Sequence, residues 1–440
     1  MGLGEEGRGL ALIWGLGQFG GGLGAAGFLR RRGYGIRVMD RADPSSLAPA
    51  LDTLRREPGP GEVRLVPESA EGFDGVELCI VNPAIPPSHP LLGELRARGL
   101  EARQEIDLFL EEWPGTVLAV TGTNGKSSTA AMFAAVLHAS GTPVLLGGNI
   151  GRSLLDEEER WSPEAVAVLE LSSFQLARLP EVPRIDHAIF LPLGRDHLSW
   201  HGSLEAYHEA KLRLLRLLKP SGQAFALRSC PVLGPRRDPA LVHLDPASSE
   251  TEVPPLRIPG DFQRENARLV LALAGRLGLP PEEVRTALRD FRGLPHRLDE
   301  QPPKLGRRFF DNGVSTLPES TGSALKCLCP RAPVRWIAGG RRKEEDDGAW
   351  TRLASLGPAS VHLFGEAAGD LARILEAAGL SATVHRLLRE ALERAFAESS
   401  EGDILLLSPG CSSHDAFANF RERCRAALAW WDELPSTPIR

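Results

Sequence analysis

Short apolar runs, most of them closed by a glycine, an amide or an acid and followed by a longer stretch of helical spacing, recur along the chain. In the first part they are Leu10–Trp14, Gly35–Met39 and Val76–Val81, with helical spacing up to Arg32 and around Leu91–Arg98. In the middle part they are Thr116–Thr121, Pro143–Leu146, Val166–Leu169 and His187–Leu191. The helices expected between these are Ser127–Ala139, stopped by Gly141, and Leu204–Leu218, broken by Pro220. From Arg308 the series continues as Arg308–Phe310, Val334–Ala338, Val361–Phe364, Ala382–His385 and Ile404–Leu407. Strand, helix, strand in this order predicts an α/β protein built on parallel sheets. The 440 residues divide most naturally into three such domains, 1–110, 111–298 and 299–440.

The sharpest chemistry lies in Gly122-Thr123-Asn124-Gly125-Lys126-Ser127-Ser128, between an apolar strand and a helix. Strand, glycine turn and helix N-terminus wrap backbone N–H groups around phosphate oxygens. Lys126 is then placed for the terminal phosphates and the Ser127 hydroxyl for Mg²⁺. The general phosphate-loop pattern has glycine where this chain has Val120, so the match is to a shorter variant. A second glycine turn, Gly15-Leu16-Gly17-Gln18-Phe19-Gly20, follows the first strand, and Asp40 closes the next one. That fingerprint suits the diphosphate and ribose of a nicotinamide or of a UDP-sugar alike. Asn82-Pro83-Ala84-Ile85-Pro86-Pro87 is a proline-stiffened loop that cannot extend its strand.

Glu170 stands at the end of a buried strand, where a carboxylate can hold a metal ion, and Ser172, Ser173 and Gln175 follow it. Arg195-Asp196-His197-Leu198, Trp200-His201 and Tyr207-His208-Glu209-Ala210-Lys211 come next. No histidine pair here has a third ligand at zinc spacing, so His197 reads better beside a metal-bound phosphate.

A net charge of −6 argues against a nucleic-acid partner, and no apolar run reaches membrane-spanning length. The opening residues Met1–Leu10 do not resemble a signal peptide, so a cytoplasmic protein is expected. The six cysteines (79, 230, 327, 329, 411 and 424) lack metal-ligand pairing and are expected to be free thiols. Only six lysines (126, 211, 219, 304, 326 and 343) stand among 51 basic residues. Three of them fall in motifs, which asks what lysine does there that guanidinium cannot.

Thr121-Gly122-Thr123-Asn124-Gly125-Lys126-Ser127, Gly148-Asn149-Ile150-Gly151, Glu170–Leu176 and Asp196-His197-Leu198 followed by Tyr207–Lys211 together resemble the Mur ligases of peptidoglycan synthesis. Glu-Leu-Ser-Ser-Phe-Gln-Leu is most similar to the branch that adds D-glutamate. The resemblance covers nearly the whole chain. It implies N-terminal and C-terminal Rossmann-like domains around a central P-loop ATPase, with ATP bound by Gly122–Ser128. It assigns metal, as two Mg²⁺ ions, to Ser127, Glu170, His197 and Lys211, with CO₂ carried on Lys211 as a carbamate. Lys126, His197 and Lys211 become the catalytic residues. The UDP-linked substrate falls to Gly15, Gly17, Gln18, Phe19, Asp40, Asn82 and Asn149.

Gly260-Asp261-Phe262-Gln263-Arg264-Glu265-Asn266 stands where the family has G-x-H-N-x-x-N, so Gln263 and Asn266 are implied at the adenine despite Phe262. Gly293-Leu294-Pro295-His296-Arg297 matches the family hinge and implies Arg297 at the nucleotide. Ser408–Phe420 and Gly339–Lys343 imply an amino-acid pocket of Thr316, Lys343, Ser413, His414 and Phe420, with His414 where leucine is usual. Asp311–Thr316 departs most, placing Asn312 at a family aspartate and Val314 at a family lysine, with Asp311, one position earlier, as the alternative acid. The implied activity joins D-glutamate to UDP-N-acetylmuramoyl-L-alanine at the cost of ATP, by a monomer without nucleic-acid or membrane partners. A sibling ligase, a folate-polyglutamate ligase, a dehydrogenase that would leave the phosphate loop unexplained, and a non-catalytic nucleotide- or UDP-sugar-binding relative stay open. The last is motivated by Asn312, Val314 and Phe262.

Overall fold

The computed structural model describes residues 8–17, 20–245, 252–342 and 346–436. Apolar β-branched and leucine-rich runs form three sheets. The first contains β1 (Leu10–Trp14), β2 (Gly35–Met39), β3 (Arg64–Val66), β4 (Leu78–Val81) and β5 (Ala102–Arg103), in the order 3-2-1-4-5 and all parallel. The second contains β6 (Thr116–Thr121), β7 (Val144–Gly148), β8 (Val166–Glu170), β9 (Ile185–Phe190), β10 (Leu218–Leu227) and β11 (Leu241–Leu244). Its order is 11-10-9-6-8-7, again parallel. The third contains β12 (Asp299–Lys304), β13 (Arg307–Asp311), β14 (Val334–Gly339), β15 (Ser360–Phe364), β16 (Thr383–His385) and β17 (Ile404–Gly410), in the order 12-13-17-14-15-16.

The chain separates into two compact units, Met1–Val253 with Glu265–Leu288, and Pro254–Arg264 with Arg289–Arg440. The first holds two sheets and the second holds one. In the first unit a single apolar core reaches from Phe28 and Leu29, behind the first sheet, to Leu154, Leu155 and Leu169 of the second. The Phe28 and Trp161 rings meet across it at 6.1 Å. Strands covered on both faces read as continuous apolar runs, and that is why the parallel sheets were legible. In such sheets functional groups gather where the strands' C-terminal ends open into loops. No helix among the described residues is long and apolar enough to cross a membrane.

Two stretches differ from expectation. The helix expected over Leu204–Leu218 stops at Leu212, tightens into a 3₁₀ turn over Arg213–Leu217, and gives way to β10. Pro220 and Gly222 sit where the pairing of β10 with β9 slips between Leu218 and Gln223, so the missing N–H costs no ladder bond. The third sheet is not wholly parallel, because β12 runs antiparallel to β13. The two residues joining them, Leu305 (φ 48°) and Gly306 (φ 73°), both take the left-handed conformation that tight hairpins need. Leucine is a poor signal for that turn, and Pro302 and Pro303 disguise a strand that is tolerable only at an edge.

Candidate active site

In the first unit, β6 delivers Thr121 to the turn and the helix Lys126–Ala139 leaves it. Gly122 (φ 150°) passes so close to Leu191 that a Cβ would lie 2.5 Å from the leucine Cβ. Gly125 (φ 84°) caps the helix in the left-handed region beside Asn266, whose amide nitrogen would meet a Cβ at 3.0 Å. Lys126 Nζ donates to the carbonyls of Gly122 (3.1 Å) and Thr123 (2.8 Å), so the amine lies over its own loop. Thr123 Oγ1 is 2.9 Å from the Tyr207 hydroxyl and accepts the Gly194 N–H at 2.7 Å. That ties the loop to the helix Leu204–Leu212, which carries Lys211.

Glu170, at the end of β8, is buried and has both oxygens engaged. Ser127 Oγ donates to Oε2 at 2.5 Å, and Asn149 Nδ2 donates to Oε1 at 3.1 Å. Ser172 and Gln175 cap each other at the start of the next short helix and leave the carboxylate to face the phosphate loop. Asp196 accepts the His197 N–H at 2.8 Å and faces its ring at 3.2 Å, while Phe174 packs on that ring at 4.6 Å. His197 itself takes φ 53°. His201 meets Ser173 Oγ at 2.9 Å, and burial pulls its pKa down to about 4. Lys211 is 1 % exposed, with its amine 4.9 Å from the Tyr207 ring centroid. Burial first, and then the Lys126 charge, hold its pKa well below the ordinary lysine value, against the opposing pull of Asp196 and Glu170.

Hard oxygen donors at Ser127 and Glu170, with Asp196 and His197 nearby, fit a magnesium ion. Bound there, an ion would supply charge neutralisation at phosphate oxygens.

The glycine turn of the first sheet is braced from two sides. Asp40 accepts the N–H groups of Leu16 and Ala42, both at 2.8 Å. Asn82 packs so tightly beneath the turn that a Cβ at Gly15 would lie 2.8 Å, and one at Gly17 2.7 Å, from its side chain. Arg178, from the short helix after Glu170, donates to the carbonyls of Asn82 (3.2 Å) and Ile85. Gln18 and Phe19 lie outside the described residues.

In the second unit the loops after β13, β14 and β17 carry the remaining candidates. Arg341 and Ser412 pair backbone to backbone, which sets Ser413, buried, and His414 beside the β14 loop. Thr316, Arg342 and Trp350 line one pocket, and Phe420 reaches to 6.3 Å from the His296 ring. Asn312 is buried, accepting from the Leu298 N–H (3.2 Å) and donating to Ser408 Oγ (2.9 Å). Gln263 belongs to this unit, whereas Asn266 belongs to the first. Arg297 lies in the turn that Leu298 and His296 anchor to the end of β13. Lys343 lies outside the described residues.

Residues 120–236 match the model of the Mur ligase middle domain. A UDP-N-acetylmuramoylalanine–D-glutamate ligase from Thermus thermophilus is 34 % identical, covering 95 % of this chain and 96 % of that protein. Another from Synechococcus is 31 % identical, covering 94 % and 96 %. This chain belongs to the Mur ligase family. Among solved structures, the UDP-N-acetylmuramate–alanine ligase of Thermotoga maritima shares the fold at a TM-score of 0.64 and 19 % identity, covering 97 % of this chain and 99 % of that one.

Two residues of this Mur ligase escaped the sequence reading. Arg178 follows Glu170–Leu176 directly, but a helical arginine gives no sign that it serves a loop 93 residues away. Asp196 was read only as a neighbour of His197, whereas it both orients that ring and acts on Lys211.

Proposed function

We propose that this Mur ligase joins D-glutamate to the carboxylate of UDP-N-acetylmuramoyl-L-alanine, using ATP, in the cytoplasm and as a monomer. The named activity of relatives more than 30 % identical over nearly the whole chain supports it. The observation that carries the chemistry is the convergence of Lys126, the Ser127–Glu170 pair and the buried Lys211 on one phosphate loop. Oxide cannot leave a carboxylate, so the γ-phosphoryl is first transferred to it. The amine of D-glutamate then attacks the acyl phosphate, and phosphate leaves with the C–O electron pair. Lys126 stabilises charge on the transferring group. Ser127, Glu170 and His197 would hold Mg²⁺, which supplies charge neutralisation at phosphate oxygens, and Lys211 would carry a carbamate for a second ion.

In this reading the domains are 1–110, Rossmann-like for the uridine nucleotide, 111–298, the P-loop domain for ATP, and 299–440, Rossmann-like for the amino acid. Gly15, Gly17, Gln18, Phe19, Asp40, Asn82 and Asn149 serve the UDP substrate. Gly122–Ser128, Gln263, Asn266 and Arg297 serve ATP, and Thr316, Lys343, Ser413, His414 and Phe420 serve D-glutamate. The test is phosphate release from ATP by the purified protein with UDP-N-acetylmuramoyl-L-alanine and a panel of D- and L-amino acids. Release that requires both substrates and is fastest with D-glutamate is expected. Release with a different amino acid moves the chain to a sibling specificity, and none with any pair sinks the ligase reading.

A further inference from the structure

His296, Asp311 and Cys424 come together from the turn after the helix Pro281–Asp290, the end of β13 and the first turns of the helix Phe420–Glu433. One nitrogen, one carboxylate oxygen and one sulfur all lie within 4.8 Å of one another. Asp311 and Cys424 are fully buried, and His296 Nδ1 sits 2.6 Å from Asp311 Oδ2. None of the three has a part in the proposed ligase chemistry.

The surroundings are built to let the sulfur in. A Cβ at Gly313 would stand 2.2 Å from Cys424 Sγ and 3.0 Å from Asp311 Oδ1, so only glycine leaves room for that approach. Gly313 also donates its N–H to Asp311 Oδ1 at 2.8 Å, fixing the carboxylate with Oδ2 facing His296. His296 holds a left-handed backbone (φ 64°), strained for a non-glycine residue, with its ring directed at Asp311. Its side chain is 18 % exposed, which gives an ion a way in.

We propose that His296, Asp311 and Cys424 form a binding site for a divalent transition ion of the zinc class. Thiolate, imidazole and carboxylate together are the donor set that zinc prefers, and three protein ligands leave a fourth position for water. Binding would take the Nδ1 lone pair of His296, whose proton moves to Nε2. The Cys424 thiol proton passes to solvent as the sulfur–metal bond forms, and no electron changes hands. Carboxylate, thiolate and a dication sum to zero charge, so the buried assembly is neutral. The neighbouring Arg423, which donates to the Gly313 carbonyl at 3.1 Å, opposes the dication but favours the thiolate.

The test uses the metal-stripped full chain and Co²⁺ as the probe. We expect one equivalent to give a thiolate-to-cobalt charge-transfer band that Zn²⁺ abolishes by displacement. Magnesium-type oxygen sites give no such band, so occupancy near Ser127 and Glu170 does not confuse it. Cys424→Ser, checked for folding by circular dichroism, should lose the band, and Cys79→Ser, in the other unit, should keep it. Asp311→Asn should weaken Zn²⁺ at least about tenfold in competition with a chromophoric chelator. A wild type without the band, or a band that survives in Cys424→Ser, overturns the proposal and leaves the three groups a hydrogen-bonded cluster.

Discussion

At the residue scale Lys211 carries the most specific chemistry. Its burial and the nearby Lys126 charge favour the neutral amine, the only form that attacks CO₂. Guanidinium, ionised at any working pH, cannot do this. Lys211→Arg should therefore lose about a hundredfold or more in turnover, and Lys211→Ala should do likewise. Acetate should restore part of the activity of the alanine variant by occupying the anion position. Near-normal turnover of Lys211→Arg would reduce Lys211 to an ordinary cation. Stability gives a second readout, in CO₂-free buffer. Between the lowered folded pKa and the ordinary value near 10.5, the unfolded chain holds a proton that the folded one lacks, so Lys211 costs stability there. That cost shrinks as the pH rises. Lys211→Met should be more stable than wild type by roughly 1 kcal/mol at pH 7, with the difference fading towards pH 10 in urea titrations. Lys126→Ala should keep the fold and lose turnover, and activity within about tenfold of wild type, ~1.4 kcal/mol of barrier, would move the phosphate site elsewhere.

Among the elements, the short helix Ser173–Arg178 does more than follow Glu170. Arg178 holds the Asn82–Pro87 loop through two carbonyls, and its guanidinium lies 5.7 Å from the Trp200 ring centroid. Burial lowers its pKa to about 10, so it stays charged while substantially desolvated. Arg178→Ala should cost about 2–3 kcal/mol in urea unfolding and weaken UDP binding more than ATP binding. A loss below about 0.5 kcal/mol, with both affinities unchanged, would mean that the loop is held by other contacts. The phosphate loop was legible because strand, glycine turn and helix each announce themselves locally: the helix begins at Lys126 where Ser127 was expected. β10 was not, since Lys219-Pro220-Ser221-Gly222 reads as a break and only the register slip against β9 accommodates it. Nor was β12, whose turn depends on Leu305 accepting a positive φ. The buried contacts of Asp311 were also invisible. Pattern alone cannot tell that this acid faces His296, 15 residues before it, and Cys424, more than a hundred residues after it.

Over the larger assembly, the first unit is stitched together around the helix Glu105–Glu112, which follows the last strand of the first sheet and precedes the second. Glu105 is partly buried, accepting from Ser153 Oγ at 2.5 Å, and desolvation raises its pKa to about 7. Asp107 is raised to about 7 in the same way, although its carboxylate accepts the Gln104 N–H at 2.7 Å. The folded protein therefore keeps protons near neutrality that the unfolded chain releases around pH 4–5. Their contribution to stability is full below that range and is lost as the pH rises through 7, leaving a penalty above it. Wild type should thus lose stability between pH 5 and 8, apart from what other groups add. Glu105→Gln keeps an acceptor for Ser153 and has no proton to lose. It should match wild type near pH 5, exceed it by of the order of 1–3 kcal/mol at pH 8, and retain only the share of the slope due to Asp107. Urea unfolding at the two pH values measures this directly. A variant no more stable than wild type at pH 8 would mean that Glu105 ionises there without cost, and that the seam between the two sheets admits water.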